Sequence, residues 1–207
     1  MNTTGLFGGS FNPVHMAHLV LAERVREVAG LDRVLFIPAR RPPHKSQRKI
    51  APDVHRMEML RRATEPNPAF AVSPVELDRD GPSYTLTTVR ELRGRMGEGA
   101  ELSLILGADS VLDLPNWWHA DELVREVDVI GFRRPGYDLS DLDELRRAFG
   151  DLVTERIAGS VIDAPRLEIS ATEIRHRVEA GRSVRYLVPE CVRQYMKRNH
   201  VYPVGAG

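Results

Sequence analysis

Residues 8–18 read Gly-Gly-Ser-Phe-Asn-Pro-Val-His-Met-Ala-His, and this stretch, which we call the first loop, indicates the fold most clearly. It follows a short apolar segment, Thr4–Gly8, that has the length and character of a buried strand. Two glycines let the backbone turn tightly and approach a ligand closely. Pro13 fits the entry to a helix, whose free amide groups form a site for an anion. The stretch therefore predicts a strand, a ligand-binding turn and a helix.

Two histidines, His15 and His18, lie near the start of the predicted helix and are three residues apart. This spacing places both side chains on one face of the first helical turn. Two imidazole groups beside a helix N-terminus suit a phosphate, or a negative charge that develops during a reaction. A zinc site is the weaker interpretation, because the sequence offers no further metal ligands nearby. A glycine turn with packed histidines is the structural alternative.

Short apolar runs alternate with helical patterns along most of the chain. The predicted strands are Thr4–Gly8, Arg33–Ile37, Phe70–Val75, Glu101–Leu106, Val127–Phe132 and Ser160–Asp163. The predicted helical segments are Val14–Ala29, Asp53–Thr64, Tyr84–Arg95, Asp121–Arg125, Leu139–Phe149, Ser170–Ala180 and Glu190–Asn199. This alternation predicts an α/β fold with right-handed crossovers and a doubly wound parallel sheet. In such sheets ligands bind beyond the carboxyl ends of the strands, where the strand order reverses.

Length and composition are those of one globular domain. The chain has 207 residues, of which 42% are hydrophobic, and 29 Lys and Arg balance 29 Asp and Glu. A net charge of zero argues against a protein that coats nucleic acid or an anionic membrane. No apolar run approaches the roughly 18 residues of a membrane-spanning helix. We place the domain at residues 1–202 with a flexible tail at 203–207, and expect disorder from Tyr202 onward.

The cellular location follows from the N-terminus and the cysteine content. No basic segment precedes the first apolar residues, so we expect no signal peptide. The single cysteine, Cys191, excludes an internal disulfide and leaves no cysteine cluster for zinc. These features predict a cytoplasmic enzyme. The sequence leaves open whether the protein forms a homo-oligomer.

A second segment, at residues 169–175, reads Ile-Ser-Ala-Thr-Glu-Ile-Arg. Ser170 and Glu173 have the spacing of a capping box, in which each side chain binds a free amide at the helix start. Thr172 lies in the first turn, and Arg175 lies three residues further on the same face. A hydroxyl, a helix N-terminus and an arginine would also bind a triphosphate. On these residues alone both interpretations stand.

These two segments carry a family resemblance. The first loop resembles the G-x-F-x-P-x-H-x-G-H signature of the nucleotidyltransferase superfamily, with Ala17 in place of the second glycine, and residues 169–175 resemble its I-S-[ST]-T-x-I-R motif. The resemblance implies that a phosphate oxygen attacks the α-phosphorus of ATP and that pyrophosphate leaves. It implies catalytic roles for His15 and His18, and Mg²⁺ held mainly by phosphate oxygens and water. The implied ATP-binding residues are Gly8, Gly9, Ser10, Phe11, His15, His18, Gly107, Asp109, Ser170, Thr172 and Arg175.

Further segments resemble one branch of that superfamily, the nicotinate mononucleotide adenylyltransferases. They are Pro-Pro-His-Lys at 42–45, Pro-Ser-Tyr-Thr at 82–85, Gly-Ala-Asp at 107–109, Leu-Pro-Asn-Trp at 114–117 and Arg-Pro-Gly at 134–136. The chain departs from the family at Thr87, where the family usually has Asp. The resemblance implies ATP and nicotinate mononucleotide as partners, with Trp117 stacked on the pyridine ring. The implied mononucleotide-binding residues are Asn12, His44, Lys45, Tyr84, Thr85, Asp109, Trp117 and Arg134.

Three alternative functions keep some of these features. The same chemistry could use nicotinamide mononucleotide or phosphopantetheine as the acceptor. An NAD(P)-binding oxidoreductase is disfavoured, because no G-x-G-x-x-G follows the first strand and no acidic residue ends the second. A non-catalytic nucleotide sensor on the same fold is distinguished from an enzyme only by turnover.

Overall fold

A six-stranded sheet forms the centre of the protein in a computed structural model, which describes residues 3–40, 50–97, 99–134 and 136–202. The strands are β1 (Thr3–Gly9), β2 (Arg33–Pro38), β3 (Phe70–Val72), β4 (Glu101–Gly107), β5 (Asp128–Phe132) and β6 (Val161–Ile162). Their order is β3-β2-β1-β4-β5-β6, and every neighbouring pair is parallel. The predicted α/β fold with a doubly wound parallel sheet is confirmed.

Helices pack on both faces of this sheet. They are α1 (Met16–Val28), α2 (Asp53–Thr64), α3 (Thr85–Met96), α4 (Ala108–Asp113), α5 (Ala120–Glu126), α6 (Asp143–Phe149), α7 (Asp151–Gly159), α8 (Ala171–Glu179) and α9 (Glu190–Arg198). A 3-10 turn at Leu114–Asn116 joins α4 to the segment before α5. Within the described ranges, no helix has both the length and the apolar character needed to cross a membrane.

Alternate residues of the central strands face two separate apolar clusters. On β1, Phe7 belongs to one cluster and Leu6 to the other. On β2, Phe36 and Leu35 divide in the same way. The first cluster contains residues of α1, α2, α8 and α9, and the second contains residues of α3 to α7. Burial on both faces explains why these strands read as continuous apolar runs.

The strand order reverses between β1 and β4. The chain winds outward from β1 through β2 to β3, and then returns to add β4 on the other side of β1. Adjacent parallel strands whose connections leave in opposite directions open a crevice at their carboxyl ends. The first loop follows β1, and the predicted Gly107 and Asp109 follow or end β4. The topology therefore brings these two predicted segments to one crevice.

Several predicted boundaries were wrong. Helix α1 begins at Met16 rather than Val14, because His15 is extended with φ −143°. Strand β3 ends at Val72 rather than Val75; Pro74 has no amide for the ladder, and its carbonyl instead accepts from the Leu77 amide in a turn. The predicted helical segment Leu139–Phe149 forms a helix only over Asp143–Phe149. The backbone conformation and hydrogen bonds at these residues, rather than the local pattern of apolar residues, determine where the helices and the strand begin and end.

Two helices were missed by the sequence analysis. Helix α4 starts directly after β4 and has six residues, too few for a periodic apolar pattern. Helix α7 buries Thr154 and Ile157, whereas its Leu152 is 83% exposed. A threonine on the buried face and a leucine in solvent obscure the amphipathic pattern.

The expectation that Tyr202 is disordered was wrong. Tyr202, the residue at which we expected disorder to begin, is buried and packs in the first apolar cluster. Its hydroxyl donates a hydrogen bond to the Asn12 side-chain oxygen at 2.7 Å. The predicted tail at 203–207 lies outside the described residues.

Candidate functional site

A cavity of about 620 Å³ lies at the carboxyl ends of β1 and β4. Its lining includes many of the residues that the sequence singled out: Gly8, Gly9, Ser10, His15, His18, Tyr84, Thr85, Gly107, Asp109, Trp117 and Arg134. Five predicted residues lie outside the lining: Phe11, Asn12, Ser170, Thr172 and Arg175. The predicted His44 and Lys45 fall outside the described residues. Segments that are far apart in the chain thus share one cavity.

The two histidines of the first loop stack on one another. Their ring centroids are 3.6 Å apart, and the ring planes differ by 27°. The backbone amide of His15 donates to Nδ1 of His18 at 3.2 Å. Because Nδ1 accepts this bond, the proton of a neutral His18 ring must be on Nε2. His18 can therefore donate a hydrogen bond from Nε2 to a ligand.

His15 is held in its neutral form. Burial, and to a smaller extent the positive charge of Arg134, lower its pKa to about 4. The side chain is 6% exposed, and its Nδ1 is a buried atom that has no hydrogen-bond partner among the described residues. A neutral imidazole at this position acts on a ligand by hydrogen bonding rather than as a cation.

Phe11 supports the histidines from below the cavity. Its backbone has φ +41°, a conformation that costs about 1–3 kcal/mol in a residue other than glycine. Its ring is 1% exposed and packs edge-to-face on the His18 ring, with centroids 5.0 Å apart. A Cβ on Gly9 would meet this ring at 3.1 Å, so Gly9 makes room for Phe11. The predicted ATP-binding residue Phe11 therefore lies beneath the site as packing.

Two arginines bind the backbone of the first loop from behind. Arg56, on α2, is fully buried and donates to the Ser10 carbonyl at 2.8 Å and to the Ala51 carbonyl at 3.2 Å. Arg175, on α8, donates to the Asn12 carbonyl at 2.8 Å. The sequence analysis missed Arg56, because nothing in its neighbourhood distinguishes it from a surface arginine of an amphipathic helix.

The start of α8 shows only the serine half of the predicted capping box. The Ser170 hydroxyl accepts from the Glu173 amide at 3.1 Å. Arg175 also donates to the Thr172 hydroxyl at 3.1 Å. Its Nε is buried and has no hydrogen-bond partner among the described residues. The segment thus joins α8 to the first loop.

Asp109 and Arg134 form an ion pair at the ends of β4 and β5. One guanidinium nitrogen of Arg134 lies 3.0 Å and 2.9 Å from the two carboxylate oxygens. A Cβ on Gly107 would lie 2.5 Å from an Asp109 oxygen and 2.7 Å from Cδ of Arg134. Only glycine leaves room for this pair. Both side chains are partly exposed, so a ligand can compete for either one.

Aromatic rings form the wall of the cavity beside α3. Tyr84 and Trp118 stack with ring centroids 4.7 Å apart and an interplanar angle of 20°. The predicted Trp117 donates its indole N–H to Asp113 at 3.2 Å and packs on the second apolar cluster. Trp118, which is 44% exposed, was not singled out by the sequence analysis, because its stacking partner lies far away in the chain.

A buried carboxyl group, Glu76, also lines the cavity. It accepts a hydrogen bond from the Thr88 hydroxyl at 2.8 Å and is only 9% exposed. Burial raises its pKa, while hydrogen bonds from Ser83 and Thr88 and the charge of Arg79 oppose the shift. The sequence offered no signal for Glu76. It ties the segment before α3 to the helix itself.

Comparisons with known proteins agree with this geometry. The cytidylyltransferase-like family model matches residues 6–177. A relative from Salinibacter ruber, named "probable nicotinate-nucleotide adenylyltransferase", is 47% identical over 200 residues, which cover 97% of each chain. A relative of the same name from a Thermoanaerobacter species is 41% identical over 202 residues, covering 96% of this chain and 93% of the relative.

A solved structure has the same fold. The Plasmodium falciparum nicotinic acid mononucleotide adenylyltransferase complexed with NaAD matches with a TM-score of 0.77 and 17% identity over the whole of both chains. The family model covers most of the chain, and the two curated relatives cover 96% and 97% of it. The chain belongs to the cytidylyltransferase-like family and, within it, to the nicotinate-nucleotide adenylyltransferases.

Proposed function

We propose that this protein transfers the adenylyl group of ATP to nicotinate mononucleotide, giving deamido-NAD and pyrophosphate, as a step of NAD biosynthesis. One observation carries the proposal: the two histidines, the Asp109–Arg134 pair and the aromatic wall line a single cavity at the point where the strand order reverses. The relatives named nicotinate-nucleotide adenylyltransferase support the same substrates.

The first loop would bind the triphosphate of ATP. A phosphate oxygen of the mononucleotide attacks the α-phosphorus, and the bond from that phosphorus to the bridging oxygen of pyrophosphate breaks. No residue forms a covalent intermediate, so catalysis consists of positioning and stabilisation of charge. Nε2 of His18 donates to the phosphate oxygens on which negative charge develops, and neutral His15 lies against it. ATP binding by Thr172 and Arg175 stays a prediction, because neither side chain lines the cavity and Arg175 donates to the Asn12 carbonyl.

The opposite side of the cavity would bind the mononucleotide. Arg134 provides a positive charge for its phosphate, and Asp109 provides a carboxylate for ribose hydroxyl groups. The free amides at the start of α3, near Thr85, would donate to an acceptor group on the pyridine. Trp117, Trp118 and Tyr84 offer apolar ring faces for the planar base.

Magnesium would enter with ATP. The described residues contain no group of three His, Cys, Asp or Glu side chains that could hold a metal ion. A cavity without such a group of ligands fits a Mg²⁺ ion that is held mainly by phosphate oxygens and water. When bound, Mg²⁺ would neutralise charge on the phosphates. A cytoplasmic location belongs to the same proposal, since the only cysteine, Cys191, is a free thiol.

Pyrophosphate release tests the proposal directly. The protein is incubated with ATP and one acceptor: nicotinate mononucleotide, nicotinamide mononucleotide or phosphopantetheine. We expect the fastest release with nicotinate mononucleotide, and loss of release when EDTA removes Mg²⁺. An equal or faster rate with the amide would refute the acid preference, and no reaction with any acceptor would refute adenylyl transfer.

A further inference from the structure

A buried polar cluster lies behind the first loop and is centred on Asn12, which is 4% exposed. Its side-chain oxygen accepts two hydrogen bonds, from the Tyr202 hydroxyl at 2.7 Å and from the Ala51 amide at 3.0 Å. Tyr202 lies 190 residues further along the chain. The cluster thus joins the first loop to the end of the described C-terminal segment.

The backbone on both sides of Phe11 is bound from the same direction. The Ser10 carbonyl accepts from Arg56, and the Asn12 carbonyl accepts from Arg175. Phe11 has φ +41°, and a strained backbone persists only where its surroundings determine it. Hydrogen bonds to the residues on either side provide that constraint.

Phe11 connects the cluster to the histidines. Its ring packs edge-to-face on His18, and a change in the Phe11 backbone would move that ring. A chain of contacts through Asn12 and Phe11 therefore links the Tyr202 hydroxyl to His18, although Tyr202 does not line the cavity. Burial raises the pKa of Tyr202, so its hydroxyl stays protonated and able to donate.

We propose that Tyr202 is a positioning residue for adenylyl transfer, whose hydroxyl holds the first loop in the conformation that binds the ATP phosphates. This inference rests on the proposed function. It assigns a role in the reaction to the C-terminal segment, whose Tyr202 hydroxyl donates to the Asn12 side chain.

Tyr202→Phe removes the hydroxyl and keeps the ring. Loss of one buried hydrogen bond should lower kcat/KM for ATP about three- to tenfold, because the competent loop conformation becomes less populated. The KM for nicotinate mononucleotide should change less than twofold. Unchanged kcat/KM for ATP, or a KM for nicotinate mononucleotide that rises as much as the KM for ATP, would overturn the proposal.

Tyr195→Phe is the matched control. Tyr195 lies on α9 near the same end of the chain, and its hydroxyl bonds to Nδ1 of His55 at 3.0 Å, away from the cavity lining. We expect both variants to have similar melting temperatures and only Tyr202→Phe to lose activity. Equal kinetic losses in the two variants would reduce Tyr202 to a general structural role.

A double-mutant cycle tests whether the Tyr202 hydroxyl acts on ATP turnover through Asn12. In an Asn12→Ala protein, the acceptor is absent, so adding Tyr202→Phe should lower kcat/KM less than 1.5-fold further. Additive losses would mean that the hydroxyl acts elsewhere. Should Tyr202→Phe fail to fold, Asn12→Ala alone must lose at least threefold in kcat/KM for ATP, and wild-type kinetics would contradict the proposal.

Failure of the proposed function gives a different result. If the wild-type protein reacts with no acceptor, the proposed adenylyl transfer is refuted. The role of Tyr202 in loop conformation is then tested by measuring ATP affinity by calorimetry. We expect three- to tenfold weaker ATP binding in Tyr202→Phe and unchanged binding in Tyr195→Phe. Equal affinities in all three proteins would overturn the positioning role.

Discussion

The two sides of the cavity are built differently. The middle of the first loop is buried: Phe11 is 1% exposed, Asn12 4% and His15 6%, and its backbone is bound by the buried Arg56 and the half-buried Arg175. The opposite wall, formed by Tyr84, Asp109, Trp118 and Arg134, consists of partly exposed side chains that contact each other. Transition-state charge needs donors that are already in place, whereas an incoming base can displace such side-chain pairs. We therefore expect changes in the loop to affect kcat and ATP binding, and changes in the wall to affect the KM for nicotinate mononucleotide.

The largest expected effect is that of His18→Ala. Removal of a donor to developing charge typically costs about 10²-fold or more in kcat. Steady-state kinetics with saturating substrates measures this loss. His176→Ala, on the exposed face of α8, is the control and should keep full activity. Unchanged turnover in His18→Ala would remove His18 from the mechanism.

Arg134→Gln tests the opposite wall and should have a smaller effect. Loss of a charge-assisted hydrogen bond to the mononucleotide phosphate should raise its KM about tenfold. We expect kcat to fall less than threefold. Arg125→Gln removes an arginine of α5 that pairs with Asp121 outside the cavity lining, and KM should stay the same. A larger change in kcat than in KM for Arg134→Gln would contradict the division between the two sides.

The smallest expected effect is the dependence of stability on pH that His15 causes. Its pKa in the folded protein is about 4, below the value of 6.5 in an unfolded chain, so unfolding takes up a proton between these values. The stability it contributes is present above pH 6.5 and is lost as the pH falls toward 4. Between pH 7 and 5.5 this amounts to about 1 kcal/mol.

Urea unfolding at pH 7 and pH 5.5 measures this contribution. His15→Gln should lose about 1 kcal/mol less than the wild type over that interval, because glutamine does not titrate. His176→Gln is the control at an exposed position and should behave as the wild type. An equal pH dependence in His15→Gln and the wild type would show that His15 is not held neutral by burial.

Local patterns predicted the parts of this protein that depend on neighbours in sequence. Strand-length apolar runs indicated the sheet, and the Ser170 cap follows from the spacing of two residues. The pattern failed at α7, where Leu152 is exposed and Thr154 is buried. It also failed for Arg56, which is read as a surface residue unless the loop beneath it is known. Contacts of this kind depend on how the elements pack.

By itself the sequence determined the parallel α/β fold, because apolar runs and helical periodicities alternate, and the position of the first loop, because its glycines, proline and histidines are adjacent. Only the tertiary structure decided that Tyr84 stacks on Trp118, that Arg134 pairs with Asp109 and that Tyr202 binds Asn12. These contacts join residues that are distant in the chain. Their energies depend on distance and burial in space, which no local pattern of residues records.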